Sequence, residues 1–77
     1  MKITHKENKG KIRLGDLPNG SLFTYNGTLA LKSEYSTNEG VIEAYIVGSG
    51  EFFWGGTATG KDQRNLLVRR VYTVTGP

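Results

Sequence analysis

Glycine and paired turn residues interrupt this chain about every ten residues, so no apolar pattern of period 3.6 lasts long enough to build a helix. Eleven of the 77 residues are glycine. What fits between the interruptions is short strands of period two. In SLFTYNGTLALKS, residues 21–33, two β-prone runs flank Asn26-Gly27, the pair best suited to a two-residue turn that needs positive φ twice. Such a turn sets the register. Tyr25 opposes Thr28, Phe23 opposes Ala30 and Leu22 opposes Leu31. Leu22, Thr24, Leu29 and Leu31 then share one face, and Phe23, Tyr25, Ala30 and Lys32 the other, so both faces are apolar. VIEAYIV, bounded by Asn38-Glu39-Gly40 and Gly48-Ser49-Gly50, repeats this: Ile42, Ala44 and Ile46 lie on one face, while Val41, Tyr45 and Val47 flank Glu43 on the other. Glu51 to Trp54 follows as a second hairpin arm ending at Gly55-Gly56. The last strand runs from Leu66 to Val74, Ile12 and Leu14 form a short opening strand, and Asp16 to Gly20 is a turn in which Pro18 biases Leu17 away from helix.

Five or six short strands joined by tight turns predict an all-β fold: a small antiparallel barrel, SH3-like or similar, whose closure removes sticky edges. Residues 1–10 form a basic N-terminal segment, and residues 11–77 a single domain. One interior cannot hide two apolar faces. Phe23, Tyr25, Tyr45 and Val47 recur on outward faces of adjacent hairpins, and are expected to form the interface of a homo-oligomer.

The formal charge is +3, and it is unevenly spread. Residues 1–13 carry five cations against Glu7. Residues 14–60 carry Lys32 against five carboxylates, and residues 61–77 carry four cations against Asp62. Basic ends attract polyanions. With no cysteine, disulfides and thiolate-bound metals are excluded, and the lone His5 with scattered carboxylates has no metal-ligand spacing. No cofactor is expected. No run approaches the ~20 apolar residues of a spanning helix, and MKITHKENKGKIR has no signal-like apolar core. The expectation is a soluble cytoplasmic protein with no membrane partner.

Catalysis needs groups that this chain mostly lacks. A nucleophilic triad would have to recruit His5 from the basic terminus. Glu43 and Glu51, brought near one another by the Gly48-Ser49-Gly50 turn, are a carboxylate pair, but glutamates on neighbouring surface strands are ordinarily solvated. The chain is therefore expected not to be an enzyme. GGTATGKD, residues 55–62, matches a phosphate-cradling P-loop at Gly55, Gly60 and Lys61. It fails at Asp62, where the loop requires Ser or Thr to hold magnesium. A weaker use survives, because glycine-threonine loops offer N–H groups and hydroxyls to an anion.

Two adjacent arginines interrupt the strand-like run LLVRRVYTV. In a regular strand, Arg69 lies with Leu67, Val71 and Thr73, and Arg70 with Leu66, Val68, Tyr72 and Val74. One guanidinium must face an apolar side, where an unpaired charge costs several kcal/mol. A β-bulge turning both outward, a partner such as Glu43, or a pocket or subunit seam that takes a phosphate or carboxylate would each resolve the conflict. Trp54, between Phe52-Phe53 and the glycine-threonine loop, lies on a strand next to the one bearing Tyr45, and planar groups near arginine stack bases. The candidate ligand set is Arg69, Arg70 and Lys61 for phosphates, Trp54 and Tyr45 for bases, and Thr57 and Thr59 for hydroxyl contacts.

LPNGSLFTYNGTLALKSEY together with VIEAYIVGSGEFFWGG, about residues 14–56, resembles short phage-encoded β-barrel proteins that open with a Leu-Pro-x-Gly turn, an aromatic strand and an Asn-Gly hairpin. Proteins of that kind include viral sponges of the anti-CBASS and anti-Thoeris type, oligomers that sequester cyclic nucleotide messengers of bacterial immunity without cleaving them. The resemblance implies an anti-defence protein that holds an anionic nucleotide, and it assigns no ligand residues. Two other readings stand beside it: a small nucleic-acid-binding barrel using the N-terminal lysines and an aromatic sheet face, or a protein inhibitor covering a host defence enzyme with its outward apolar face.

Overall fold

The structure, a computed structural model, describes residues 2–7, 10–38 and 40–76, with the backbone alone at 2–7 and 73–76. Among the described residues six strands form: β1 (Lys2–Glu7), β2 (Ile12–Arg13), β3 (Leu22–Tyr25), β4 (Thr28–Ser36), β5 (Ile42–Ile46) and β6 (Leu67–Gly76). A 3-10 turn spans Leu14–Asp16 and one short helix, α1, spans Gly60–Arg64. All strand pairs are antiparallel, in the order β1-β6-β3-β4-β5, with β2 also against β6. The all-β expectation holds. The closed barrel does not, because β1 and β5 stand at opposite edges of an open sheet. The β5 edge is instead covered by the chain that follows it: Phe52 bridges Tyr45, the Ile46 N–H donates to the Glu51 carbonyl, and the Phe53 N–H donates to the Ala44 carbonyl. A sheet protected in this way needs no closure to blunt its edge. No helix among the described residues is long and apolar enough to cross a membrane.

The Asn26-Gly27 turn has the expected form, with φ of 49° and 81°, and sets the expected pairs from Leu22↔Leu31 to Tyr25↔Thr28. The turn expected at Asn38-Glu39-Gly40 includes Glu39, which lies outside the described residues. The core sits on one face of the sheet. Phe23, Ala30, Ala44 and Val68 are buried there beneath Leu14, Leu17 and Phe53, and Phe53 meets Phe23 edge-on at 5.0 Å and Tyr25 at 5.9 Å. Phe23 and Tyr25 therefore do not face outward with Tyr45 and Val47, and the expected four-residue interface is corrected. The 3-10 turn and the segment after β5 cover one apolar face only, and the Phe23 face is the one they cover.

The charge buried on that face is Lys32, 5% exposed. Its Nζ donates to the carbonyls of Leu17 (2.5 Å) and Leu14 (2.9 Å), with Gly15 at 3.4 Å, so the ammonium caps the 3-10 turn. Burial pushes its pKa down, and the carboxylate of Asp16 partly opposes this.

Helix α1 was not expected in so glycine-rich a loop. The Thr59 hydroxyl caps it by accepting from the Asp62 N–H at 3.1 Å, and Thr59-Gly60-Lys61-Asp62 is a recognisable S/T-x-x-acid start. What holds α1 in place is Gln63, which has no exposed surface. Its Oε1 accepts from the Ile42 N–H at 2.8 Å, and its Nε2 donates to the carbonyls of Ile42 and Phe53, each at 3.0 Å. The side-chain amide stands in for one peptide of a neighbouring strand.

Candidate functional site

The two arginines do not turn to one side. β6 keeps register with β3 through Thr24↔Arg69, Phe23↔Arg70 and Leu22↔Val71, so their side chains alternate across the sheet. The irregularity lies on the other flank. There the pairing of β6 passes from Ile12↔Val68 to Glu7↔Val71, a shift of two residues opposite Arg69 and Arg70. Glu43 sits on β5, accepting from the Tyr45 hydroxyl at 3.4 Å, and β3 and β4 separate it from β6. Arg70 shares the Phe23 face but lies where the core gives way to solvent. Its guanidinium stacks over Tyr72, 4.7 Å from the ring centre, which accommodates a cation on an apolar face without burying it.

Arg69 lines a hollow of about 260 Å³ together with Lys11, Thr24, Tyr25, Asn26, Gly27 and Leu67. The tight Asn-Gly turn, the start of β6 and the residue before β2 meet there, so two cations and a hydroxyl surround one space. A second hollow of about 370 Å³ shares Tyr25 and Asn26 with the first, and is walled by Thr28, Ile46, Phe53, Trp54, Gly55 and Gly56. Trp54 is 42% exposed and packs on Phe52, ring centres 5.2 Å apart. Gly55 turns the chain here with φ of +62°, and a Cβ at this position would meet Leu66 and stand 2.9 Å from the Phe53 ring. Among the described residues, neither hollow is lined by a carboxylate or an imidazole.

Of the expected ligand residues, the fold therefore places Arg69 and Trp54 at two separate hollows, on opposite faces of the sheet, that both border Tyr25 and Asn26. Arg70 lines a separate one with Pro18, Ser21 and Tyr72. Lys61 is exposed on α1. Tyr45, 40% exposed, borders neither hollow and packs edge-on against Phe52 at 5.9 Å. The Thr57 hydroxyl donates to the Trp54 carbonyl at 2.6 Å and that of Thr59 is engaged at the α1 cap, so both serve the loop itself. Lys11, Thr24, Tyr25 and Asn26 were missed. The signal available for them was the Asn-Gly turn, read only as a register device, and Lys11 was absorbed into a basic terminus.

No group of three or more His, Cys, Asp or Glu placed to hold a metal ion occurs among the described residues. Comparison with known protein families, with curated proteins and with solved structures finds no match to this chain.

Proposed function

We propose that this protein binds a small anionic nucleotide stoichiometrically, with phosphate between Lys11 and Arg69 and the base against Trp54. The observation that carries the reading is a pair of hollows, one cationic and one aromatic, on opposite faces of the sheet and both bordered by Tyr25 and Asn26. Each is near the lower end of the ~300–1,000 Å³ typical of small-molecule sites. A guanidinium and an ammonium neutralise a phosphate, the Asn26-Gly27 turn adds backbone N–H groups, and an indole face stacks any base. Holding a ligand requires no general acid or base, and no carboxylate or imidazole lines either hollow. The resemblance of residues 14–56 to short phage-encoded β-barrel proteins favours a cyclic nucleotide messenger as the ligand, sequestered rather than cleaved, although the sheet of this chain is open.

Trp54 is the sole tryptophan, so its fluorescence reports on the aromatic hollow. Titration with cyclic di- and trinucleotides is expected to quench it to saturation at one ligand per site. Arg69→Ala and Lys11→Ala should each weaken binding by about 10-fold or more, since a charged hydrogen bond contributes ~1.5–3 kcal/mol. Arg70→Ala, on the opposite face, should leave affinity unchanged. No quenching and no calorimetric heat at millimolar nucleotide would reject the reading. A steep loss of binding to single strands with rising salt, with no response to mononucleotide-sized ligands, would favour nucleic acid instead.

A further inference from the structure

Strand β6 outruns its neighbour on one side. β1 pairs with residues 71–76 of β6, whereas β3 pairs only with Arg69, Arg70 and Val71, because β3 begins at Leu22. Among the described residues no strand pairs with residues 72–76 on the β3 side. Beyond Val71 the sheet is therefore a two-stranded ribbon, an arrangement only marginally stable in water until a third strand joins it. An antiparallel strand bonds each neighbour through alternate residues, so half of the backbone N–H and carbonyl groups of residues 72–76 face this open edge.

The entry to β3 closes one end of the edge. The turn over residues 18–21, in which the Ser21 N–H donates to the Pro18 carbonyl at 3.2 Å, carries the chain toward β4, where the Lys32 N–H donates to the Ser21 carbonyl at 2.9 Å. Between this turn and β6 lies a hollow of about 240 Å³. Arg70 is the one cation in its lining, and no carboxylate lines it. The Tyr72 ring holds the guanidinium in place without neutralising it.

Direction decides what the edge accepts. A strand in line with β3 runs antiparallel to β6, so it passes residue 76 first and residue 72 last, and its C-terminus meets the Arg70 hollow. A parallel strand would bring its N-terminal ammonium to Arg70, and a longer antiparallel segment would run into Leu22 and the turn. We infer that residues 72–76 and the Arg70 hollow together dock an extended peptide that ends in a free carboxylate, its backbone on β6 and its carboxylate on Arg70. Sheet-edge pairing and capture of a terminal carboxylate are both recurrent ways of holding a peptide, and the guanidinium fork matches a carboxylate. Five residues at ~3.4 Å give an edge of about 17 Å, enough for roughly the last four or five residues of the partner. Neither Arg70 nor Tyr72 lines the hollows assigned to the nucleotide, so the two readings stand or fall separately.

The probe is fluorescein-labelled Thr-Val-Thr-Val-Thr-Val, as the free acid and as the C-terminal amide, titrated with the full chain and followed by anisotropy. The acid should bind with a dissociation constant below about 1 mM. It should bind about 10-fold or more tighter than the amide, because a hydrogen bond between charged groups is lost in the amide. Arg70→Gln should abolish that preference with circular dichroism unchanged. A second measurement leaves the protein intact: N-methylating alternate amides of the acid should weaken binding about 10-fold in one alternation and little in the other. Equal binding of acid and amide, a preference that survives Arg70→Gln, indifference to both methylation patterns, or no binding at about 1 mM protein would each overturn the inference. So would self-association in which a second copy holds this edge against the probe.

Discussion

Replacing Gln63 tests the idea that a single side-chain amide takes the place of a strand. Gln63→Ala removes an acceptor from the Ile42 N–H and donors from the carbonyls of Ile42 and Phe53, all at a position with no exposed surface. Leaving a buried polar group unsatisfied costs ~1–3 kcal/mol. Three such groups, partly offset by water entering the space, give a loss of about 3–5 kcal/mol. That is a large fraction of the ~4–12 kcal/mol expected for a domain of this size at ~0.05–0.15 kcal/mol per residue. Urea unfolding followed by far-UV circular dichroism should show a lower midpoint with an unchanged slope. The melting temperature should fall by at least ~12 °C, at ~4–8 °C per kcal/mol. Gln63→Glu sharpens the test. It keeps the acceptor for Ile42 but turns an oxygen toward two carbonyls, so burial and repulsion raise the carboxyl pKa in the folded state. The penalty is then fully present above that raised value and is relieved as pH falls from it toward the unfolded value of ~4.3, where the protonated acid again donates. A Gln63→Ala loss below about 1 kcal/mol, or a Gln63→Glu stability that does not improve on acidification, would refute the strand-surrogate account.

Other outcomes follow from the same geometry. Gly55→Ala forces a side chain into positive φ and into the Phe53 and Leu66 side chains, and should cost ~1–3 kcal/mol by thermal melting; a neutral result would show that the turn relaxes. Lys32→Met strips the donor from the carbonyls of Leu14 and Leu17 and should destabilise by ~2–3 kcal/mol. Because the folded state releases the Lys32 proton at lower pH than the unfolded state, wild-type stability should climb relative to Lys32→Met as pH rises from that depressed pKa toward 10.5. The difference should be flat at lower pH, where both states hold the proton, and an alkaline decline of the difference would contradict the burial assigned to Lys32.

The division of labour between local and distant interactions is visible at Asn26-Gly27. Positive φ at two successive residues is a local requirement, so the hairpin register and the partition of Leu22, Phe23, Leu29 and Ala30 between two faces were legible without any tertiary information. The same holds for Ile42, Ala44 and Ile46 against Tyr45. Trp54 and Arg69 were legible as site candidates because an exposed indole beside glycines and a cation in an apolar run each signal an unmet need. Which apolar face is covered was not legible, since both carry comparable side chains. It was decided when the chain after β5 folded back, placing Phe53 against Phe23 and Gln63 against the Ile42 edge. That choice sends Phe23 and Tyr25 inward and leaves Tyr45 and Val47 outside. It also holds Arg69 and Arg70 on opposite sides of β6, a separation set by pairing with a strand more than forty residues earlier in the chain. Periodicity records which side chains share a face, and only long-range packing determines what that face meets.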